Sequence, residues 1–246
     1  MNYQDVLNKL ESGELRSASK QNGKWQAHVE VKQAILEAFK QGQMVQMGEY
    51  VDKDTIPAQS FNLERKIRFV PGGSSVRRGA YVAPGVIIMP PSYINIGAYV
   101  DEGTMVDSHV LVGSCAQIGK RVHLSAGVQI GGVLEPIGLA PVVIEDDVFV
   151  GAQAVIVEGI QVLKGAVIAP GVILSKAVPV YDLVNERVLE KGEAIPERAV
   201  VVPGSRPIGE KLPWGQKMNL QMNCAIIVKY RDEKSDASLT LESVLR

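Results

Sequence analysis

From Val76 an aliphatic residue returns at every sixth position: Val76, Val82, Ile88, Ile94, Val100, Val106, Val112, Ile118, Leu124 and Ile130. After a gap the beat resumes at Ile144, Val150, Ile156, Val162, Ile168 and Leu174. A helix repeats at 3.6 residues and a strand at 2, so neither explains this period. A short strand followed by a turn does. Three such units close one triangular coil of a parallel β-helix, which stacks one aliphatic per hexad along its axis. The fourth hexad position favours glycine (Gly79, Gly85, Gly97, Gly103, Gly127, Gly159, Gly165, Gly171), as tight turns require. The fifth is small or branched, from Ala80 and Val86 through to Ala166 and Val172. The fold expected is mainly β: a left-handed parallel β-helix, a small N-terminal α+β domain, and a short C-terminal cap of strands and helix.

Three regions follow. Residues 1–66 lack the beat. Val6, Leu7, Leu10 and Leu15 suggest a first helix, and Val31, Ala34, Ile35, Ala38 and Phe39 a second. Gly23–Val29 between them reads as a turn and a strand, and 50–66 as an irregular connector. Residues 67–178 form the solenoid. Ile130 to Ile144 spans fourteen residues, two more than two hexads, so 131–142 is expected to leave the stack as a loop on the functional face. In 179–246, strands are expected near Val178–Val184, Ala199–Val202 and Cys224–Tyr230, with a short helix over Leu239–Arg246. The lead-in and the tail are candidates to cap the open ends of the solenoid.

Composition narrows the function classes. The 246 residues carry a net charge of −1, which leaves no nucleic-acid footprint. No run of 18 apolar residues occurs, so no membrane span is expected. The charged N-terminus has no apolar stretch of signal length. Cys115 and Cys224 lie far apart and outside metal-ligand spacing, so both are read as reduced and the compartment as cytoplasmic.

A few residues invite chemistry. Asp107 directly follows Val106, at a hexad position where Gly or Ala recurs and where Asn95, Asp101 and Glu145 are other exceptions. Desolvation there would raise a carboxylate toward the range of a general base, whereas a solvated turn aspartate is the plainer alternative. His109 stands two residues on, and on an extended strand the two side chains would share a face. It also suits a surface corner. Arg68, Arg77 and Arg78 cluster where the solenoid starts; guanidinium groups of this kind suit a dicarboxylate ligand, or simply a solvated edge. Proteins of this coil type include acyl-CoA-dependent acyltransferases and zinc-holding carbonic anhydrase-like members. Of the three histidines here, His28 lies in the lead-in, away from His109 and His123, so no metal site is expected.

The run Ile94–Asp107, with its Asp-Glu-Gly-Thr-Met-Val-Asp segment, closely resembles the tetrahydrodipicolinate N-succinyltransferases, acyltransferases of bacterial lysine and diaminopimelate synthesis. So do Val112–Lys120, Val122–Ser125 and Gly131–Pro136, and, nearer the ends, Ser12–Arg16, Gly23–Trp25 and Cys224–Lys229. The resemblance implies a homotrimer with active sites between subunits. It implies succinyl-CoA as co-substrate, with no permanently bound cofactor, and a small amino dicarboxylate as acceptor. It implies that Arg68, in Ile67–Pro71, binds a substrate carboxylate; Arg78, from the same arginine cluster, is read by residue type as a further anchor. Asp107 would contact the substrate amine and act as base; help from His109 is read from its place two residues on, not from the resemblance. Two departures stand out. His109 replaces a common tryptophan, and Gly151–Val155 replaces a segment carrying Arg, Ser and Glu, with Val155 at the carboxylate. Gly151–Gly159 resembles the related N-acetyltransferases instead. Three readings stay open: succinyl transfer to tetrahydrodipicolinate; transfer of an acetyl group, or to a related acceptor such as one in tabtoxin-type toxin synthesis; and a non-catalytic trimeric scaffold.

Overall fold

The computed structural model describes residues 2–232. Its centre is a coil of two-residue strands in three parallel sheets. The chain visits the sheets in rotation: Arg68–Phe69 in a ten-stranded sheet, Ser75–Val76 in a six-stranded one, Tyr81–Val82 in a five-stranded one, then Ile87–Ile88 back in the first. Each strand pairs with its counterpart one coil on, as Tyr81 with Tyr99 and Tyr99 with Gln117. The last strand of this series is Ile173–Leu174.

The hexad beat is the core. Every beat residue from Val76 to Leu174 is at most 1% exposed. In-register pairing puts each against the residue one coil away, as Val100 on Ile118 and Val106 on Leu124. The fourth hexad position is left-handed from Gly79 to Gly171, except at Pro91 and at Val133 where the loop begins. Gly97 shows the second reason for glycine there: a Cβ would come within 2.9 Å of both Cys115 Sγ and Ile35 Cδ1, atoms of the neighbouring coil and of the N-terminal region. His109 (φ 62°), Cys115, Arg121, Asp147 and Gln153 hold the same conformation without being glycine, typically costing about 1 kcal/mol or more apiece.

The interruption after Ile130 is a single step, not two missing hexads. Gln129–Ile130 belongs to the six-stranded sheet and Val143–Ile144 to the next face, so the ordinary step has gained eight residues. The partners across it show the same eight: Gln117 pairs with Val143, where elsewhere Tyr99 pairs with Gln117.

Both expected N-terminal helices are present, Tyr3–Glu11 and Val29–Gln41. Leu15 falls outside the first. Between them Ala18–Gln21 and Lys24–Ala27 form a hairpin. A second hairpin, Met44–Met47 with Tyr50–Lys53, runs into the start of the expected connector; its largely exposed strands carry no apolar alternation. This region lies along the flank of the coil. Val6, Leu7, Val31, Ile35 and Ile56 form one cluster with Ile96 and Cys115 of the solenoid.

The far end is closed by the C-terminal segment. Val200 and Val201 of the strand Ala199–Pro207 pair in parallel with Val167 and Ile168, and that strand pairs antiparallel with Gln221–Tyr230. Ile195, Val201, Ala225 and Ile227 complete the central core there. The helix expected over Leu239–Arg246 lies outside the described residues. Among the described residues no helix is long and apolar enough to cross a membrane.

Candidate active site

Asp107 sits at the corner where the chain turns from the long sheet to the six-stranded sheet. Its strand, Met105–Val106, is held on both sides by the ladder. The Asp107 N–H donates to Leu124 O (3.0 Å), and its carbonyl accepts from Ser92 Oγ (2.7 Å). One carboxylate oxygen, Oδ1, accepts the Ser108 N–H at 2.7 Å. Asp101 makes the same turn with Glu102, and Asn95 with Ile96. The first duty of these short polar side chains is therefore to cap their own turn. At Asp107 this fixes the carboxylate while leaving Oδ2 for a ligand. The group is half-buried rather than enclosed, so the full desolvation expected from its hexad position does not occur.

His109 does not share a strand face with Asp107. The strand ends at Val106 and His109 is left-handed, so the alternation of extended backbone does not reach it. No hydrogen bond joins the two side chains among the described residues. The His109 N–H donates to Pro91 O (2.7 Å) and its carbonyl accepts from Gln129 Nε2 (3.2 Å). Its exposed ring lines an open cleft of about 320 Å³ with Ser92, Tyr93, Leu111 and Gln129. Burial pushes the Tyr93 phenol up from its ordinary pKa.

Arg68 opens the long sheet and is exposed. Ile87 pairs with it on one side and with Met105 on the other, so two rungs, about 10 Å, separate Arg68 from the strand leading to Asp107. Among the described residues its guanidinium has no acceptor. Arg78 differs. It lies at the next corner, where its guanidinium donates to Thr55 O (3.3 Å) and Asn8 Oδ1 (3.1 Å). Arg77 pairs with Asp52. In this chain Arg77 and Arg78 tie the N-terminal region to the coil, and the structure does not bring Arg78 to Asp107.

Residues 3–40 match the family model described as tetrahydrodipicolinate N-succinyltransferase N-terminal, and residues 141–176 the one described as hexapeptide repeat of succinyl-transferase. The chain is 47% identical to a 2,3,4,5-tetrahydropyridine-2,6-dicarboxylate N-succinyltransferase of Coxiella burnetii, over 96% of this chain and 86% of that one. It is 42% identical to the protein of the same name from Legionella pneumophila, over 98% and 87%. The chain belongs to the tetrahydrodipicolinate N-succinyltransferase family. A crystal structure described as a 2,3,4,5-tetrahydropyridine-2-carboxylate N-succinyltransferase of Campylobacter jejuni shares the fold: TM-score 0.58, 15% identity, 92% of this chain and 62% of that one.

Within this family frame Val155 is half-exposed on the six-stranded sheet, between Gln129 and Ile173. That rung offers no carboxylate. The 131–142 loop leaves the coil at the corner after the six-stranded sheet, one corner on from Asp107. It is fastened there by Lys32, whose side chain is fully buried and donates to Leu139 O (2.7 Å). Burial lowers the Lys32 pKa. Burial also pushes the Cys115 thiol up to about 11, which suits packing rather than nucleophilic work.

A second cleft escaped the sequence reading. Arg16 lies over the rings of Tyr99 (3.7 Å) and Trp25 (5.4 Å), and its Nε donates to Gln117 Oε1 (2.9 Å). The signal was thin: one arginine and one tryptophan, nine residues apart, that meet only because the hairpin carrying Trp25 docks beside the five-stranded sheet.

Proposed function

We propose that this chain is a CoA-dependent N-acyltransferase that moves the succinyl group of succinyl-CoA to the amino group of tetrahydrodipicolinate, in lysine and diaminopimelate synthesis in the cytoplasm. The near whole-chain similarity to N-succinyltransferases carries the reading. The reaction is direct transfer. Water adds across the ring C=N bond of the acceptor and opens it to a free amine with a 6-oxo group; that amine nitrogen attacks the thioester carbonyl and its proton passes to the Asp107 carboxylate. The tetrahedral intermediate collapses, an amide forms, and CoA leaves as the thiolate, which recovers a proton. A backbone N–H aimed at the developing oxyanion contributes about 3 kcal/mol. Arg68 anchors an acceptor carboxylate, so orientation supplies a large part of the rate. His109, two residues on from Asp107 in the same turn, assists in orienting the amine.

The coil is left-handed in this account, and three copies assemble around it. Asp107 and the 131–142 loop sit at different corners of successive coils, an arrangement that lets the loop of one subunit close over the Asp107 of another. Val155 favours a second reading, an acetyl donor or a related amino-acid-like acceptor, because its rung lacks the carboxylate that the succinyl-transferring pattern carries.

Thiol release decides between them. The purified protein is offered succinyl-CoA or acetyl-CoA with tetrahydrodipicolinate. Preference for succinyl-CoA supports the first reading and preference for acetyl-CoA the second. No turnover with either donor favours a scaffold.

A further inference from the structure

The Arg16 cleft lies at the corner between the five-stranded and long sheets, away from Asp107. It holds about 200 Å³, below the roughly 300–1,000 Å³ of sites for drug-sized ligands. Arg16 enters from the N-terminal region, and its Nε is taken by Gln117. Gln117 is itself fixed by Ser17 Oγ and Cys115 O, both at 2.9 Å. The two terminal nitrogens of Arg16 have no acceptor among the described residues. Burial lowers the pKa of this guanidinium, and the neighbouring Asp101 and Asp146 raise it.

Three carboxylates border the cleft: Asp101, Glu145 and Asp146. Glu145 is saturated. Its Oε1 accepts from Lys20 Nζ (2.8 Å) and Trp25 Nε1 (3.1 Å), its Oε2 from the Lys164 N–H (3.2 Å). Burial works against its ionisation, yet those donors together hold its pKa below the usual range. Asp101 and Asp146 are half-used. Each spends Oδ1 on a backbone N–H, of Glu102 and Lys120 respectively, both at 2.8 Å, and keeps Oδ2. The cleft thus presents an open guanidinium edge beside two open carboxylate oxygens, with the Trp25 ring alongside. A dianion such as phosphate would meet Asp101 and Asp146 as like charges. So would a dicarboxylate acceptor. A cation would meet Arg16.

We propose that this cleft binds a free α-amino acid, its carboxylate on the terminal nitrogens of Arg16 and its ammonium group on the open oxygens of Asp101 and Asp146. Carboxylate on guanidinium and ammonium on carboxylate are both charge-assisted pairs. The small volume selects a single amino acid over a peptide or nucleotide.

The chain has two tryptophans, and Trp214 is 70% exposed at the C-terminal hairpin tip. In a Trp214→Phe background the fluorescence reports Trp25 alone. L-alanine, L-lysine, acetate and methylamine are titrated in turn to about 50 mM. The proposal expects a saturable change with the amino acids and at least about tenfold weaker responses to acetate and methylamine. Asp101→Asn with Asp146→Asn keeps both Oδ1 acceptors and should weaken amino-acid binding about tenfold or more. Arg16→Lys should weaken it too. No saturable change with either amino acid overturns the proposal. So does an equal response to acetate that the asparagine variants leave untouched, which would mark a plain anion pocket. No turnover is measured, so failure of the acyltransfer reading would leave this result standing.

Discussion

Replacing Asp107 by asparagine separates chemistry from architecture at one position. Asparagine keeps an Oδ1 that accepts the Ser108 N–H, now held at 2.7 Å. The other anchors of this turn, to Leu124 O and from Ser92 Oγ, run to the Asp107 backbone and are untouched. What changes for the fold is one hydrogen bond from charged to neutral, worth about 1 kcal/mol at most at this half-exposed corner. For a chain of 246 residues that lowers Tm by about 2–4 °C. What changes for catalysis is the loss of the base, typically 10²–10⁴-fold, or about 3–5 kcal/mol of barrier. The assay pairs thermal unfolding with the rate of CoA thiol release. A kcat within about threefold of the parent removes Asp107 from the base role, since a general base supplies far more. A collapse of Tm with proportionate loss of rate assigns Asp107 to the turn alone.

Lys32 has its pKa lowered by burial. Between that lowered value and the ordinary 10.5 the unfolded chain binds the proton and the folded chain does not, so Lys32 contributes stability that rises with pH through that window. The unfolding free energy of the parent minus that of Lys32→Met, from urea titrations, should therefore grow as pH approaches 10.5; a flat or falling difference contradicts this. Gln117→Leu leaves Arg16 Nε without its acceptor and Cys115 O without one donor, and should cost about 2–4 kcal/mol in the same titration. In a Cys224→Ser background the Cys115 thiol, 0% exposed and with its pKa at about 11, should ignore an aromatic disulfide reagent at neutral pH until the chain unfolds. Prompt labelling of the native protein would contradict that.

The coil was legible because each strand pairs in register with itself one turn later. A pattern of period six along the chain is then also a contact map, and Val100 names its partners Val82 and Ile118. The N-terminal helices were legible from their apolar faces. Other parts depend on contacts far apart in sequence. The Met44–Lys53 hairpin has too little burial to impose alternation. The C-terminal strand extends the long sheet through Val167 and Val200, a pairing that no local period announces. The step after Ile130 was visible as a gap, but its length reads as two turns or as one turn plus a loop until the sheet partners are known. At the candidate site, Asp107 and Arg68 stood out by residue type. That Arg78 is spent on Asn8 and Thr55, and that Arg16 rests between two rings, follows only from how the N-terminal region docks.

The central claim is the identity of the transferred group. Mass spectrometry of the product formed by the purified protein from tetrahydrodipicolinate and an equimolar mixture of succinyl-CoA and acetyl-CoA tests it most directly. The account predicts the N-succinyl product with Asp107-dependent yield. A product carrying only acetyl would contradict it.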